Sequence, residues 1–237
     1  MITNKKNDLS GIDFKEGEII LIDKPVGWSS FKIIKEIRKV IGVKKVGHAG
    51  TLDPMATGLL IVATGKKTKT LDEYQALKKT YNGTITLGTT SPSMDLETVR
   101  HDGSEKPYAH ISEEEIYKVR DEFLGTIKQV PPMYSAIKHK GKSLYHLARK
   151  GKTVEREARE ITVFDFRINK IDLPQIHFEI ICSKGTYIRV IANDFGEKLG
   201  CGGLLSSLRR TKIGDYSVED ALMIDEFMRK FPSNQLL

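Results

Sequence analysis

Cysteine is nearly missing from this chain: of 237 residues only Cys182 and Cys201 carry a thiol. They lack CxxC spacing, and His177 is the only histidine near either in sequence, so neither a disulfide framework nor a zinc site is indicated. Long apolar runs are absent too. No stretch approaches the roughly 20 residues a bilayer crossing needs, and the opening MITNKKNDLS has no apolar core of the kind a secretory leader carries. The expected compartment is the cytoplasm. A phosphate loop is lacking as well: GKKTK at Gly65 to Lys69 invites one, but the glycine required five residues before the Gly-Lys pair is replaced by Leu60, and Gly58 comes two residues too early.

What is present supports a sizeable core. Hydrophobic residues make up 39% of the chain, enough for one large domain or two small ones. Lysine and arginine outnumber aspartate and glutamate by 38 to 31, a formal charge of +7. An excess of that size is often only a solubility feature, and it fits a polyanionic partner where it is concentrated. It is concentrated between Lys128 and Glu160, where nine lysines or arginines face three glutamates, with Tyr134, Tyr145, His139 and His146 interleaved. Cations mixed with rings suit RNA, whose phosphates need neutralising and whose unpaired bases need stacking surfaces. The Leu144, Leu147 helical hint there buries little, which predicts a protruding arm.

The densest stretch is GHAGTLDPMATGLLIVATG, Gly47 to Gly65. Asp53 is the only acid between Glu36 and Asp72, and Pro54 restricts its backbone to extended conformations. An arbitrary Asp-Pro pair is a turn opener. Here Gly47, Gly50 and Gly58 allow close approach of a bulky partner, and Leu59 to Val62 read as a buried strand. One acid at the mouth of a rigid apolar strand, in basic surroundings, suits a nucleophile.

Periodicity supplies the neighbouring elements. A strand over Glu18 to Ile22 precedes a helix capped by Ser29 or Ser30, with Phe31, Ile34, Ile37, Val40 and Ile41 inward and Gly42 ending it; Lys32, Lys35, Arg38 and Lys39 read as a solvated face. Tyr81 to Leu87 alternates as a half-buried strand. Ser112 and Glu115 form a capping box for a helix carrying Ile116, Val119, Phe123 and Leu124 inward. Strands are expected over Ile161 to Ile168 and Ile176 to Cys182, then an amphipathic helix from Tyr187 to Leu199. Arg189, near its start among apolar neighbours, requires a carboxylate partner. A last helix capped by Ser217 carries Val218, Leu222 and Phe227 and ends before Pro232. These elements fit an α+β fold: a mixed, largely antiparallel sheet flanked by helices, in a single domain over residues 1–237 with the basic arm inserted at about 128–160.

GHAGTLDPMATGLL resembles the signature of the TruB-type tRNA pseudouridine synthases, and DKP at Asp23 to Pro25, SKGTYIR at Ser183 to Arg189 and LLSSLRRTKIGDYSV after it resemble three further blocks of that family. The likeness runs from Gly17 to Val218. It implies isomerisation of one uridine, number 55, to pseudouridine in the T loop of tRNA after the base is flipped out, with no cofactor or metal. A monomer is expected, though the sequence itself is silent on oligomeric state. Asp53 is then the nucleophile, and attack on base, attack on sugar and removal of a sugar proton all remain open. Tyr81 stacks on the target base and takes part in proton transfer; Arg189 pairs with Asp53 and keeps it ionised; Tyr187 lines the pocket and Leu208 packs on the base. His48 contacts the rearranged T loop, Lys24 sits with the substrate-binding set, and Asp95 joins the active-site charge network. Arg209 and Arg210 extend the basic surface, and the arm grips the T arm. The C-terminal PUA domain typical of bacterial members is not expected in this chain. Two rivals stand beside this reading: a non-catalytic tRNA-binding or folding module, and a zinc deaminase suggested by His177 and Glu179, whose completing PCxxC is absent.

Overall fold

A computed structural model of the chain describes residues 1–6, 11–99 and 106–231. The strands are β1 (Ile19–Lys24), β2 (Val46–His48), β3 (Thr57–Thr64), β4 (Lys79–Leu87), β5 (Gly125–Gln129), β6 (Lys138–His139), β7 (Lys142–Ser143), β8 (Arg159–Asp172), β9 (Gln175–Cys182), β10 (Gly203–Ile213), β11 (Tyr216–Ser217) and β12 (Leu222–Met223). The helices are α1 (Ser30–Ile41), α2 (Leu71–Ala76), α3 (Glu113–Asp121), α4 (Leu144–Ala148), α5 (Ile188–Lys198) and α6 (Ile224–Lys230). The chain forms two compact units, Met1–Asn82 together with the chain from Leu208 onward, and Gly83–Ser207. The sheet is mixed and flanked by helices, as the periodicity predicts.

In the first unit the strand order is β12-β1-β3-β10-β4, with β2 also on β3. β3 runs antiparallel to β1, Leu21 facing Ile61, and parallel to β10, Arg210 facing Gly58. The unbroken apolar run of β3 has a direct cause: both its faces are covered. Leu60 and Val62 pack with Ile33, Ile34 and Ile37 of α1 and with Phe227 of α6, while Leu59, Ile61 and Ala63 pack on the other side with Ile213, Leu71 and Tyr74.

Two expectations change here. The spacing puts Phe31 on the inward face of α1, yet it is 67% exposed and Ile33 is buried instead. The buried stripe centres on Ile37, and six residues back at roughly 100° per residue puts Phe31 about 120° away from it. The last helix is also interrupted. Ser217 caps only a short turn over Val218–Asp220, Ala221 is extended at ψ 147°, and Leu222 pairs with Ile22 in a parallel bridge before α6 begins. Completing the edge of β1 outweighs helical continuity. The stop expected at Pro232 lies outside the described residues.

In the second unit the order is β10-β4-β9-β8-β5, with β8 antiparallel to both β9 and β5. Its core is aromatic: the ring centroids of Phe123 and Phe195 lie 5.9 Å apart, and those of Phe166 and Phe178 lie 5.7 Å apart, separations at which rings attract beyond simple area burial. The capping box of α3 forms as expected between Ser112 and Glu115. Leu124, expected inward, is exposed, because Gly125 at φ 87° turns the chain into β5 one residue later. Within the arm, β6 and β7 form a small hairpin and α4 follows, with Leu144 buried and Lys138, Lys140, Lys142, Lys150 and Lys152 exposed. No helix among the described residues is long and apolar enough to cross a membrane.

The parallel pairing of β3 on β10 depends on Gly58. Its φ is 104°, and a Cβ there would stand 2.3 Å from the Arg210 carbonyl oxygen. Gly58→Ala is expected to cost about 2 kcal/mol or more, read as a lowered urea midpoint; an unchanged midpoint would show that the pairing relaxes around a methyl group.

Candidate active site

Asp53 occupies a turn whose backbone is fastened from several directions. Ser30, the first residue of α1, grips Leu52 twice: its Oγ accepts from the Leu52 N–H at 2.9 Å and donates to the Leu52 carbonyl at 3.1 Å. The Gly27 N–H donates to the Pro54 carbonyl at 2.8 Å, and the Ala56 N–H to that of Asp53 at 3.1 Å. Arg210 donates from Nη2 to the Gly50 carbonyl at 3.1 Å and from Nε to that of Leu59 at 2.8 Å. The half-buried Asp53 side chain therefore projects from a backbone pinned on both flanks.

Lys24 completes this fastening. Expected among the residues that touch substrate, it is 0% exposed, and its ammonium donates to the carbonyls of Trp28 at 2.6 Å, Pro25 at 2.9 Å and Pro54 at 3.4 Å. An ammonium enclosed in this way holds the turn and presents no charge to a polyanion. Burial pushes its pKa down from 10.5 to about 8; the Asp53 carboxylate opposes that shift, the Arg210 guanidinium adds to it, and Asp23 opposes it more weakly. The influence is mutual, so the same ammonium favours the ionised form of Asp53.

Arg209 and Arg210 do not extend a basic surface. Strand alternation sends them to opposite faces of β10. Arg210 is 1% exposed and spends its donors on carbonyls. Arg209 makes a two-pronged pair with Asp23, Nη2 to Oδ2 at 2.6 Å and Nη1 to Oδ1 at 3.1 Å. His48 lies on β2 opposite Val62. Burial lowers its pKa, the Arg210 charge lowers it further, and the Gly50 backbone opposes them, which favours the neutral imidazole. Tyr81 is buried near the start of β4, and Leu208 is half-buried on β10.

The second unit brings three further expected residues together. Arg189, in the first turn of α5, and Asp95 are both buried, with Nη1 3.8 Å from Oδ2. Asp95 is itself oriented: Oδ1 accepts from Ser93 Oγ at 2.6 Å and from the Glu97 N–H at 2.9 Å, and Ser91 Oγ donates to its carbonyl at 2.6 Å. Arg189 also lies 6.0 Å from the centre of the Tyr187 ring. Gln129, which the sequence did not single out, clasps the Tyr187 backbone from both sides, accepting from its N–H at 2.8 Å and donating to its carbonyl at 3.1 Å. A lone glutamine at a strand end carries no motif; only its buried position reveals the task. His177 of the deaminase-like HxE is hydrogen-bonded to Thr84 at 3.1 Å.

The buried Lys24 makes stability depend on pH in a defined sense. Its folded pKa lies below its unfolded value, so between about 8 and 10.5 the unfolded chain binds more protons and stability rises with pH. That contribution is fully present above 10.5 and is lost as pH falls through 8. Against Lys24→Met, the native protein should gain up to about 3 kcal/mol of relative stability across this window. Urea denaturation of both proteins at several pH values checks it; parallel curves would mean that the ammonium is not buried in solution.

Comparison with known proteins identifies the family. Residues 38–188 match the model of the TruB family pseudouridylate synthase N-terminal domain, and residues 189–232 match the tRNA pseudouridylate synthase B C-terminal domain. A tRNA pseudouridine synthase B of Chloroherpeton thalassium is 50% identical over 91% of this chain and 90% of its own length; one of Flavobacterium johnsoniae is 47% identical over 91% and 96%. Among solved structures, a chain of a Cbf5-Nop10-Gar1 complex superposes with a TM-score of 0.68 at 27% identity, covering 91% of this chain but only 55% of that one. The chain belongs to the TruB family of pseudouridylate synthases.

Proposed function

We propose that the protein converts uridine 55 in the T loop of tRNA to pseudouridine, with Asp53 as the nucleophile. The observation that carries the proposal is the immobilised Asp53 turn, in which Lys24, Arg210 and Ser30 fix the backbone and the Lys24 charge favours a carboxylate. A nucleophile that must meet one atom of a flipped base gains from such fixing, because reorganisation is completed before the substrate arrives. The relatives named as tRNA pseudouridine synthase B support the substrate class.

The other roles follow from the resemblance. Tyr81 stacks on the target uracil and serves the proton transfer from C5. Leu208 packs against the base and Tyr187 lines the pocket. Arg189 keeps the nucleophile ionised, and Asp95 orients that guanidinium. His48, whose neutral form burial favours, contacts the opened T loop as a hydrogen-bonding group and not as a cation. The exposed lysines of the arm neutralise phosphates of the T arm. Whether base or sugar is attacked, the reaction needs an ionised carboxylate, a detached uracil that turns in place, and a base for the C5 proton.

Asp53→Asn is expected to bind tRNA nearly as tightly as the native protein and to release no tritium from C5-labelled uridine tRNA; turnover in that variant would place the nucleophile elsewhere. Arg189→Met removes a cation that favours the carboxylate, so the acid limb of the kcat/KM profile should move to higher pH. An unshifted limb would separate Arg189 from the ionisation of the nucleophile.

A further inference from the structure

The exposed face of α1, read from the sequence as a solvated face, also carries an aromatic ring. Phe31, Lys35 and Lys39 follow one another at four-residue steps and are all exposed, as is Lys32 beside the head of this row. Each step is about 6 Å along the axis, comparable to the distance between successive phosphates of one strand. Phe31 is 67% exposed and its neighbour in the preceding loop, Val26, is 65% exposed. An exposed phenylalanine is not unusual by itself, since Phe164 is exposed too; what marks Phe31 is its place at the head of a row of cations.

The position of that head is fixed. Ser30, which grips Leu52 by both backbone groups, immediately precedes Phe31, and the Gly27 N–H donates to the Pro54 carbonyl. The row therefore starts at the Asp53 turn and leads away from it along the helix. Lys32 is held in place by Trp28: its Nζ stands 3.7 Å from the ring centroid, while the half-buried indole packs against the α1 core. Among the described residues none of Lys32, Lys35 and Lys39 is in an ion pair, so their charges are open to an external anion. A large ring followed by unpaired cations is the surface that single-stranded nucleic acid fits, bases on the ring and phosphates on the charges.

We propose that this row is a track for the substrate RNA: Phe31 stacks on an unpaired base close to the reacting uridine, and Lys35 and Lys39 meet consecutive phosphates. The proposal rests on the reading of the protein as an enzyme acting on tRNA. It adds a binding surface outside the basic arm and gives a task to a ring and cations that lead away from the Asp53 turn.

The test compares native protein, Phe31→Ala, Phe31→Tyr, the double variant Lys35→Ala with Lys39→Ala, and Lys118→Ala as a control for net charge, using unmodified tRNA. Loss of one stacked base predicts a KM raised about tenfold in Phe31→Ala with kcat little changed, and native behaviour in Phe31→Tyr. The double variant should flatten the slope of log affinity against log salt by roughly 1.4 to 1.8, about 0.7 to 0.9 for each lost phosphate contact, and Lys118→Ala should leave the slope alone. Trp28, the only tryptophan, reports occupancy directly, and its emission should change on tRNA binding less in Phe31→Ala than in the native protein. Unchanged KM in Phe31→Ala, or a salt slope lowered as much by Lys118→Ala, would refute the track while leaving the enzyme intact. A native protein that neither binds tRNA nor makes pseudouridine would overturn the enzyme reading, and the track with it.

Discussion

Two buried cations hold the Asp53 turn in place. Lys24 and Arg210 sit at 0% and 1% exposure and direct their donors at main-chain carbonyls before, within and after the Asp53 turn. Taking a charge out of water costs several kcal/mol unless hydrogen bonds and an opposite charge compensate. Five carbonyls and the Asp53 and Asp23 carboxylates supply that compensation here. The arrangement ties two requirements together: the turn cannot loosen without stranding a buried charge, and the charge that prevents loosening also favours the ionised form of Asp53. Gly58 belongs to the same device, since only a residue without a Cβ lets β3 come close enough to β10 for Arg210 to reach across.

Charge in this protein thus divides by depth. The deep cations shape the turn, Arg209 is occupied by Asp23 at the margin, and shallow ones, on α1 and in the arm among other places, remain for an outside anion. The formal excess of +7 does not reveal this division. Two arginines adjacent in sequence have unrelated tasks because a strand places neighbours on opposite faces.

Much of the scaffold was legible in the residues. The β3 strand, α1 with its cap and its terminating glycine, the α3 capping box and the β8–β9 pair all announce themselves through local pattern, and local pattern is what those elements obey. The errors arose where position in the sheet decides. Arg210 and Lys24 look like surface cations in the sequence, because their burial depends on carbonyls that the turn exposes to them. Phe31 satisfies three- and four-residue spacing at the flank of the apolar stripe, so spacing alone admits it to the core. Leu222 fits a helix and is drawn into the sheet by the vacant edge of β1. The Asp53 motif was recognisable in the sequence, but the Ser30 grip and the Gln129 clasp on Tyr187 each join residues far apart in the chain, and neither carries a spacing that reveals it.

The first unit is built from two pieces of chain separated by the whole of the second. On the ribosome, residues 83–207 emerge as one uninterrupted piece and can assemble while translation continues, whereas β1 and β3 must wait for β10 and β12 to be made. Arg210 is therefore among the last parts to arrive at the turn that holds Asp53. A nascent chain stalled before that point carries Asp53 in a turn without its Arg210 clamp, so the turn is fastened only after the second unit has been made.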